Sequence, residues 1–117
     1  MENLVEYIDQ MVAGTKDGKI IWTKLNDNTF VWKTSDSNDK KINLILQNMV
    51  LSSADSKKTG NVLFRLFDVE NRKVIFDVVS DKTSDENRKK IIDLFHLVRD
   101  ISGLEKLNVL GDLLKKI

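Results

Sequence analysis

Apolar positions follow a helical spacing at both ends of the chain and a strand spacing between them. Over residues 2–13, apolar residues recur three and four positions apart, which predicts an amphipathic helix that ends at Gly14. The Asp17-Gly18 pair then predicts a turn. The apolar stripe of this helix consists of Leu4, Val5, Ile8, Met11 and Val12.

Residues 19–25 and 29–34 predict a β-hairpin, because two runs rich in β-branched and aromatic residues flank an Asn/Asp cluster. A loop centred on Asp27 fixes the register of the two strands. The pairs that this register predicts are Trp22 with Trp32, Lys24 with Phe30, and Ile20 with Thr34.

Three further strands are predicted at residues 42–51, 61–69 and 72–79, where apolar residues alternate with others. Polar stretches at 35–40 and 52–60 read as loops, and Glu70-Asn71 reads as a turn with Asn71 at positive φ. The main apolar face is formed by Ile42, Leu44, Leu46, Val50, Val62, Phe64, Leu66, Val74, Phe76 and Val78.

A second helical region follows, and Thr83 with Glu86 predicts its N-terminal capping box. Gly103 is predicted to divide this region into two helices. The first carries a stripe of Ile91, Ile92, Leu94, Phe95, Val98 and Ile101, and the second carries Leu107, Leu110, Leu114 and Ile117.

The order of elements predicts a single α+β domain over residues 1–117: an N-terminal helix, a five-stranded antiparallel meander sheet and two C-terminal helices. Sequential antiparallel strands joined by short loops lie next to one another in a sheet. The helices are expected to cover one face of it.

The other face of the predicted sheet is also apolar, whereas a solvated face normally alternates cleanly with polar residues. Three explanations fit: the sheet curls around both apolar sets, the helices lie on different faces, or this face is a protein interface, most simply in a homodimer. The residues concerned in the third and fourth strands are Ile45, Met49, Leu63, Phe67 and Val69.

Composition narrows the function classes. With 41% hydrophobic residues the chain of 117 residues has enough apolar material for a core, and 19 basic against 18 acidic residues give no overall attraction to nucleic acid or to membranes.

The absence of cysteine removes thiolate catalysis and Cys-based zinc sites, and it suits a cytoplasmic protein. Richness in Lys, Asn, Asp and Ile suggests a bacterial or phage source. We expect no membrane span, no signal peptide and no cofactor.

His96 is the one histidine, and Asp93 and Asp100 fall within its reach on a helix. Such a pair can act as a base or as part of a metal site. A metal site needs further ligands, and a serine triad needs a nucleophile elbow, which the sequence lacks. We therefore interpret His96 as a surface residue and predict that the protein is not an enzyme.

Two other motifs resemble ligand loops only in part. The segment 14–19, GTKDGK, has three residues between its glycines instead of the four of a phosphate-binding loop, and Ile20 follows the lysine. The acidic segment 35–40 lacks the glycine and the bidentate glutamate of a calcium loop. The first segment is interpreted as a turn between a helix and a strand, and the second as a solvated loop.

Trp22 and Trp32 form the most distinctive pair in the sequence. Neighbouring aromatic rings near Lys24 and Lys33 could stack nucleic-acid bases. However, Lys33 points away from Trp32, because neighbouring residues of a strand face opposite sides. Cross-strand aromatic pairs also stabilise hairpins without a ligand. Core packing, binding of a partner protein and binding of single-stranded nucleic acid are the three interpretations.

Four short motifs are spread over most of the chain: Gly18-Lys19-Ile20-x-Trp22, Phe30-x-Trp32, Leu66-x-Asp68 and Leu94-Phe95-x-Leu97-Val98-Arg99. With these motifs the chain resembles small uncharacterised α+β domains encoded by bacteria and phages. It is more loosely similar to small immunity or regulatory proteins. The resemblance implies a compact α+β unit and brings no activity with it.

The sequence therefore predicts a non-enzymatic protein-interaction module, regulatory or immunity-like and homodimeric. The alternative is single-stranded nucleic-acid binding through the Trp22/Trp32 hairpin face. The predicted binding surface consists of Trp22, Lys24, Phe30, Trp32, Ile45, Met49, Leu63, Phe67 and Val69.

Overall fold

A computed structural model of the chain describes residues 4–49 and 61–116, with the side chains of 104–109 left undescribed. Helix α1 comes first, five strands follow, and a short 3₁₀ helix leads into helix α2. The bounds are α1 Leu4–Lys16, β1 Thr23–Asn26, β2 Thr29–Ser35, β3 Lys41–Met49, β4 Asn61–Asp68, β5 Lys73–Val79, the 3₁₀ helix Ser80–Lys82 and α2 Asp85–Leu114.

The predicted α+β fold is confirmed. The strands form one antiparallel sheet in the order β1-β2-β3-β4-β5, so β1 and β5 are its edges. The two C-terminal helices are the 3₁₀ helix and α2. None of the helices among the described residues has an apolar stretch long enough to cross a bilayer.

The predicted helix break at Gly103 is wrong, since α2 continues through this residue. Gly103 has no positive φ and a Cβ placed on it would meet nothing within 4 Å. A glycine inside a helix costs roughly 1 kcal/mol relative to alanine, and this cost does not by itself stop a helix.

Helix α1 ends later than predicted, at a glycine with left-handed backbone. Gly18 has φ 76°. The amide of Lys19 donates to the Gly14 carbonyl at 2.9 Å and that of Gly18 donates to the Thr15 carbonyl at 3.2 Å, which is the Schellman pattern. Gly14 lies within the last turn, where a Cβ would come 2.9 Å from Cδ1 of Ile20. Its role is close packing and not helix termination.

The first hairpin has the predicted register at Lys24, which pairs with Phe30, and it shifts by one residue toward the loop, where Asn26 pairs with Thr29. The predicted pairs of Trp22 with Trp32 and of Ile20 with Thr34 lie outside the strand ladder, because β1 begins only at Thr23. Ile20 instead packs against the last turn of α1, as described above. The tight helix end therefore shortens the strand that follows it.

The turn between β4 and β5 places its left-handed residue one position later than predicted. Arg72 has φ 53°, whereas Asn71 is not a positive-φ residue. Asn71 instead donates twice to Asp68, from its amide at 3.2 Å and from Nδ2 at 2.9 Å. These two bonds hold Asn71 in the turn.

A bulge in β5 moves one residue to the opposite face. Leu66 pairs with Phe76 but Phe67 pairs with Val74, so Ile75 is the extra residue. Val74 was predicted on the main face and lies on the other one. Alternation in the sequence cannot show such an insertion, because it assumes an unbroken ladder.

Helix α2 is capped one residue later than predicted. The side chain of Ser84 accepts a hydrogen bond from the amide of Asn87 at 3.2 Å, so Ser84 is the N-cap. Thr83 accepts from Nδ2 of Asn87 at 3.0 Å and supports the same turn from outside. Glu86 lies within the first turn, where the helix dipole favours an acid.

Both helices pack on the same face of the sheet. The Phe30 and Phe95 rings meet edge to face with centroids 5.7 Å apart, and Lys90 of α2 donates to Asp9 of α1 at 2.8 Å. The explanation that the helices lie on different faces is therefore wrong. The buried core is formed by Ile8, Phe30, Leu44, Leu46, Val62, Phe64, Ile91, Leu94, Phe95 and Val98.

The last turns of α2 extend beyond this core. Residues 110–116 are all exposed, including Leu110 and Leu114 of the predicted final stripe. The side chain of Leu107 and all of Ile117 lie outside the described residues. We call residues 104–116 the C-terminal arm.

Two glycine substitutions should have opposite effects on stability. Gly18→Ala forces a left-handed backbone on alanine and should lower the free energy of unfolding by about 1–2 kcal/mol. Gly103→Ala, in an open helical position, should raise it by up to about 1 kcal/mol. Urea unfolding of both variants checks this. A destabilising Gly103→Ala would contradict a continuous α2.

Candidate interaction groove

An apolar groove opens beside α1 on the helix-covered face of the sheet. Its cavity volume is about 270 Å³. Because an engineered apolar cavity of about 150 Å³ already binds benzene, this groove has room for more than one aliphatic side chain. We call it the apolar groove; its lining residues are Leu4, Tyr7, Met11, Trp32, Thr34, Leu44, Phe64, Leu66 and Phe76.

The floor of the apolar groove is one row of paired residues that crosses four strands. Trp32 pairs with Leu44, Leu44 with Leu66, and Leu66 with Phe76. Because directly paired residues share a face of an antiparallel sheet, all four side chains point to the same side. The adjacent row, which the helices cover, is the core row and consists of Phe30, Leu46, Phe64 and Val78. The groove row has α1 on one side only.

The groove is open to solvent at its two sides. Tyr7 on α1 is 44% exposed and Phe76 on the edge strand β5 is 43% exposed. Trp32 and Leu66 between them are half-buried. The ring centroids of Phe76 and Phe64 lie 6.2 Å apart, so the Phe76 ring rests against a residue of the core. Large apolar side chains that remain exposed together mark interaction surfaces more often than isolated ones do.

The Trp32 ring is held in place by the other tryptophan. The Trp22 and Trp32 ring centroids lie 6.4 Å apart with planes tilted by 54°. The indole N–H of Trp22 donates to Oγ1 of Thr15 at 3.0 Å, and this hydroxyl donates to the Met11 carbonyl at 2.7 Å. Both rings pack against the core. The two tryptophan rings are therefore held in fixed positions between α1 and the hairpin.

Beyond the groove floor, the next row of the sheet contains a buried carboxylate that is paired with a half-exposed lysine. Asp68 is 5% exposed, and Nζ of Lys40 lies 2.6 Å from its Oδ2. The pKa of Asp68 is lowered from 3.8 to about 2, chiefly by the hydrogen bond from Lys40 and then by those from Asn71. The same bond raises the pKa of Lys40. The Asp68 carboxylate is thus held in an ion pair in the row next to the groove floor.

Of the predicted binding residues on the first hairpin, only Trp32 lines the groove. Phe30 is a correction: it is 1% exposed and packs on Phe95, so no partner can reach it. Lys24 lies outside the groove and pairs with Asp27 at 2.9 Å. Trp22 supports Trp32 from the side, as described above.

The other predicted binding residues lie on the opposite face, so the predicted surface does not form one site. On that face the row Val31, Ile45, Arg65 and Asp77 crosses four strands, with Arg65 and Asp77 paired at 3.0 Å. A curled sheet and a partner interface stay predictions for this face. Ile45, Met49, Phe67 and Val69 are half-buried there, and Leu63 is 6% exposed.

His96 lies in a cleft of about 620 Å³ between α1 and α2, which Asp93 and Asp100 also line. Its Nδ1 lies 3.2 Å from Nη2 of Arg99, whose guanidinium lies over the Phe95 ring. Within residues 4–49 and 61–116, no three His, Cys, Asp or Glu side chains are placed to hold a metal. The geometry therefore places Arg99, which is three residues further along the same helix, beside the His96 ring.

The two turn-like motifs adopt the local structures expected of turns. The GTKDGK segment is the Schellman end of α1 described above. Asp36 Oδ1 accepts from the amides of Asn38 at 2.9 Å and Lys40 at 3.0 Å, and Asp39 has φ 61°. The Asp36 carboxylate thus stabilises its own loop through hydrogen bonds to backbone amides.

The sequence interpretation missed the groove residues other than Trp32. Leu4, Tyr7 and Met11 are spaced as one helical stripe, and the exposed Ile75-Phe76 pair lies on the last strand. These signals were available, but nothing in the sequence shows where α1 crosses the sheet.

The chain matches no protein-family model, no curated protein and no solved structure.

Asp68→Asn should lower the free energy of unfolding at neutral pH. The difference from the wild type should become smaller as the pH falls. A carboxyl whose folded pKa is depressed stabilises the fold above its unfolded pKa, and this contribution is lost as pH falls from 3.8 to about 2. Urea unfolding of both proteins between pH 6 and pH 2 measures the difference. A difference that stays constant over this range would contradict the assigned ion pair.

Proposed function

We propose that this protein is a non-enzymatic interaction module that holds an amphipathic helix of a partner protein in the apolar groove. The observation that carries the proposal is the apolar row beside α1 that is buried at Leu44, half-buried at Trp32 and Leu66, and exposed at Phe76. The helices α1 and α2 cover the neighbouring core row, while this row has α1 on one side only.

A helix is the occupant that fits this geometry. Packed helices lie about 8–10 Å apart, so a partner helix next to α1 would form a third helix on the same face of the sheet. Helix-in-groove recognition uses apolar anchors on one side of the bound helix. The groove offers them a floor of paired strand residues and a wall of α1 side chains.

The aromatic residues of the groove are suitable anchors. Trp and Tyr are enriched among residues that dominate binding energy, and Trp32 and Tyr7 face the same cavity. Trp32 is already fixed by Trp22, whose N–H is held by Thr15. A side chain ordered before binding loses little conformational entropy in the complex.

A small domain that binds other proteins and catalyses no reaction acts by covering a surface of its partner or by joining two partners. A regulatory or immunity-like role is therefore part of this proposal. A cytoplasmic location also belongs to it, since the chain lacks cysteine. The single-stranded nucleic-acid alternative has less support, because both Trp rings pack on the core and the Trp22 N–H is already donated.

Titration of a synthetic amphipathic helical peptide, with leucine at i, i+3 and i+7, tests the proposal through Trp fluorescence. Phe76→Asp should weaken binding about tenfold or more, the usual effect of losing an anchor. Ile21→Asp is the matched control, because Ile21 is 66% exposed and outside the groove. Binding should be unchanged in this variant.

Equal losses in the two variants, or no saturable binding, would overturn the proposal. A parallel titration uses a single-stranded oligonucleotide at low salt. Quenching by the oligonucleotide that Phe76→Asp leaves intact, without peptide binding, would favour the nucleic-acid alternative instead.

A further inference from the structure

Among the described residues, the outer edge of β5 has no neighbouring strand. β5 is the last strand of the sheet and pairs with β4 alone. Alternate residues of an antiparallel edge strand direct their N–H and C=O groups away from the sheet. Within residues 4–49 and 61–116, no backbone–backbone hydrogen bond outside this ladder involves residues 73–79. Such an edge is a template on which another strand can pair.

β5 also exposes large apolar side chains on both sides of the sheet. Val74, Ile75 and Phe76 are consecutive and are 45%, 50% and 43% exposed. Phe76 lies on the helix-covered face and Val74 on the opposite one. A strand added beside β5 would cover apolar surface on each face, in addition to pairing with the backbone.

The other edge of the sheet is less suited to strand addition. β1 has only four residues, and its register with β2 shifts between Lys24 and Asn26. Very short edge strands offer few backbone groups in one line, which is one way that proteins avoid unwanted pairing. β5 has seven residues and is therefore the edge that favours an added strand.

The bulge at Ile75 makes β5 a poor partner for a second copy of itself. A two-fold ladder between two β5 strands has to contain the bulge, place the two Asp77 carboxylates opposite each other, or run into the 3₁₀ helix that begins at Ser80. Like charges directly opposite each other destabilise a strand pair. The occupant that fits this edge is therefore a strand of a different protein.

The side chains of β5 define the residue pattern of this occupant. Phe76 and Val78 lie on the helix-covered face, and Asp77 lies on the other face. Oδ2 of Asp77 accepts a hydrogen bond from Nη2 of Arg65 at 3.0 Å, and the Asp77 side chain is still 43% exposed. Opposite charges stabilise directly paired positions. A matching segment has a basic residue opposite Asp77, between apolar residues opposite Phe76 and Val78.

We propose that β5 binds an extended segment of a partner protein, with this apolar-basic-apolar pattern, as a sixth strand of the sheet. In strand addition the main-chain hydrogen bonds supply affinity, and alternate side chains supply specificity. The added strand would lie beside Phe76, which also lines the apolar groove. One partner can fill both surfaces with a strand and a helix. The strand contact goes beyond the proposed function and does not depend on it.

N-methylated peptides test the strand addition, because they remove backbone donors and keep the side chains. The probe is a short peptide of alternating valine and lysine, and NMR of the isotopically labelled full-length chain follows its binding. Amide shifts should concentrate on residues 73–79. Methylation of the valine nitrogens or of the lysine nitrogens removes the donors on one side of the peptide strand. One of these peptides should bind at least about tenfold more weakly than the parent, and the other should bind like the parent.

Variants of the protein test the assigned edge. Asp77→Lys places like charges opposite each other and should weaken binding of the unmethylated peptide. Asp17→Lys is the matched control, because it makes the same charge change at an exposed position in the loop after α1. Binding should be unchanged in this control. Thermal melting shows whether each variant is folded, and Ile75→Lys replaces Asp77→Lys if that variant does not fold.

Three results would overturn the strand site. The first is an equal effect of the two methylation patterns, and the second is a set of amide shifts centred on β1 or on the second face of the sheet. The third is an equal loss in Asp77→Lys and Asp17→Lys, which would mean attraction by overall charge. If the helical peptide still binds through Phe76 in that case, the proposed function is intact. Strand binding without helix binding would remove the proposed function and keep the strand site.

Discussion

The edge-to-face contact between Phe30 and Phe95, 5.7 Å between centroids, holds α2 onto the sheet and fixes which face is covered. Ile8 brings α1 to the same cluster, so both helices share one side. Once they are there, the core row from Phe30 to Phe64 is buried, and the next row from Trp32 has α1 on one side only. The groove thus follows from the way two helices cover this face.

Much of the fold could be predicted because it depends on local periodicity. Alternation and turn chemistry determine the strands, and the pairing of Lys24 with Phe30 follows from the position of the Asn/Asp loop. The errors lie where a local signal competes with its surroundings. Gly103 has a low helix propensity, but α2 continues through it. The bulge at Ile75 is defined by the pairing of β5 with β4, which the sequence of β5 alone does not show.

The site was less predictable than the fold. The sequence identified Trp32 as distinctive, but it placed Phe30 on the same surface, where the structure buries it. Alternation shows that these two residues share a face, and it does not show which of them the helices cover. That depends on where α1 crosses the sheet, which is set by long-range packing of Ile8 and by the closing of the helix at Gly18.

Paramagnetic relaxation tests the central claim, that the apolar groove holds an amphipathic helix, most directly. The chain lacks cysteine, so a synthetic amphipathic helical peptide carries the spin label and is mixed with the isotopically labelled protein. The account predicts broadening of amide signals around Tyr7 and Phe76, which line the groove. Broadening around Ile21 instead, or none at any peptide concentration, would contradict it.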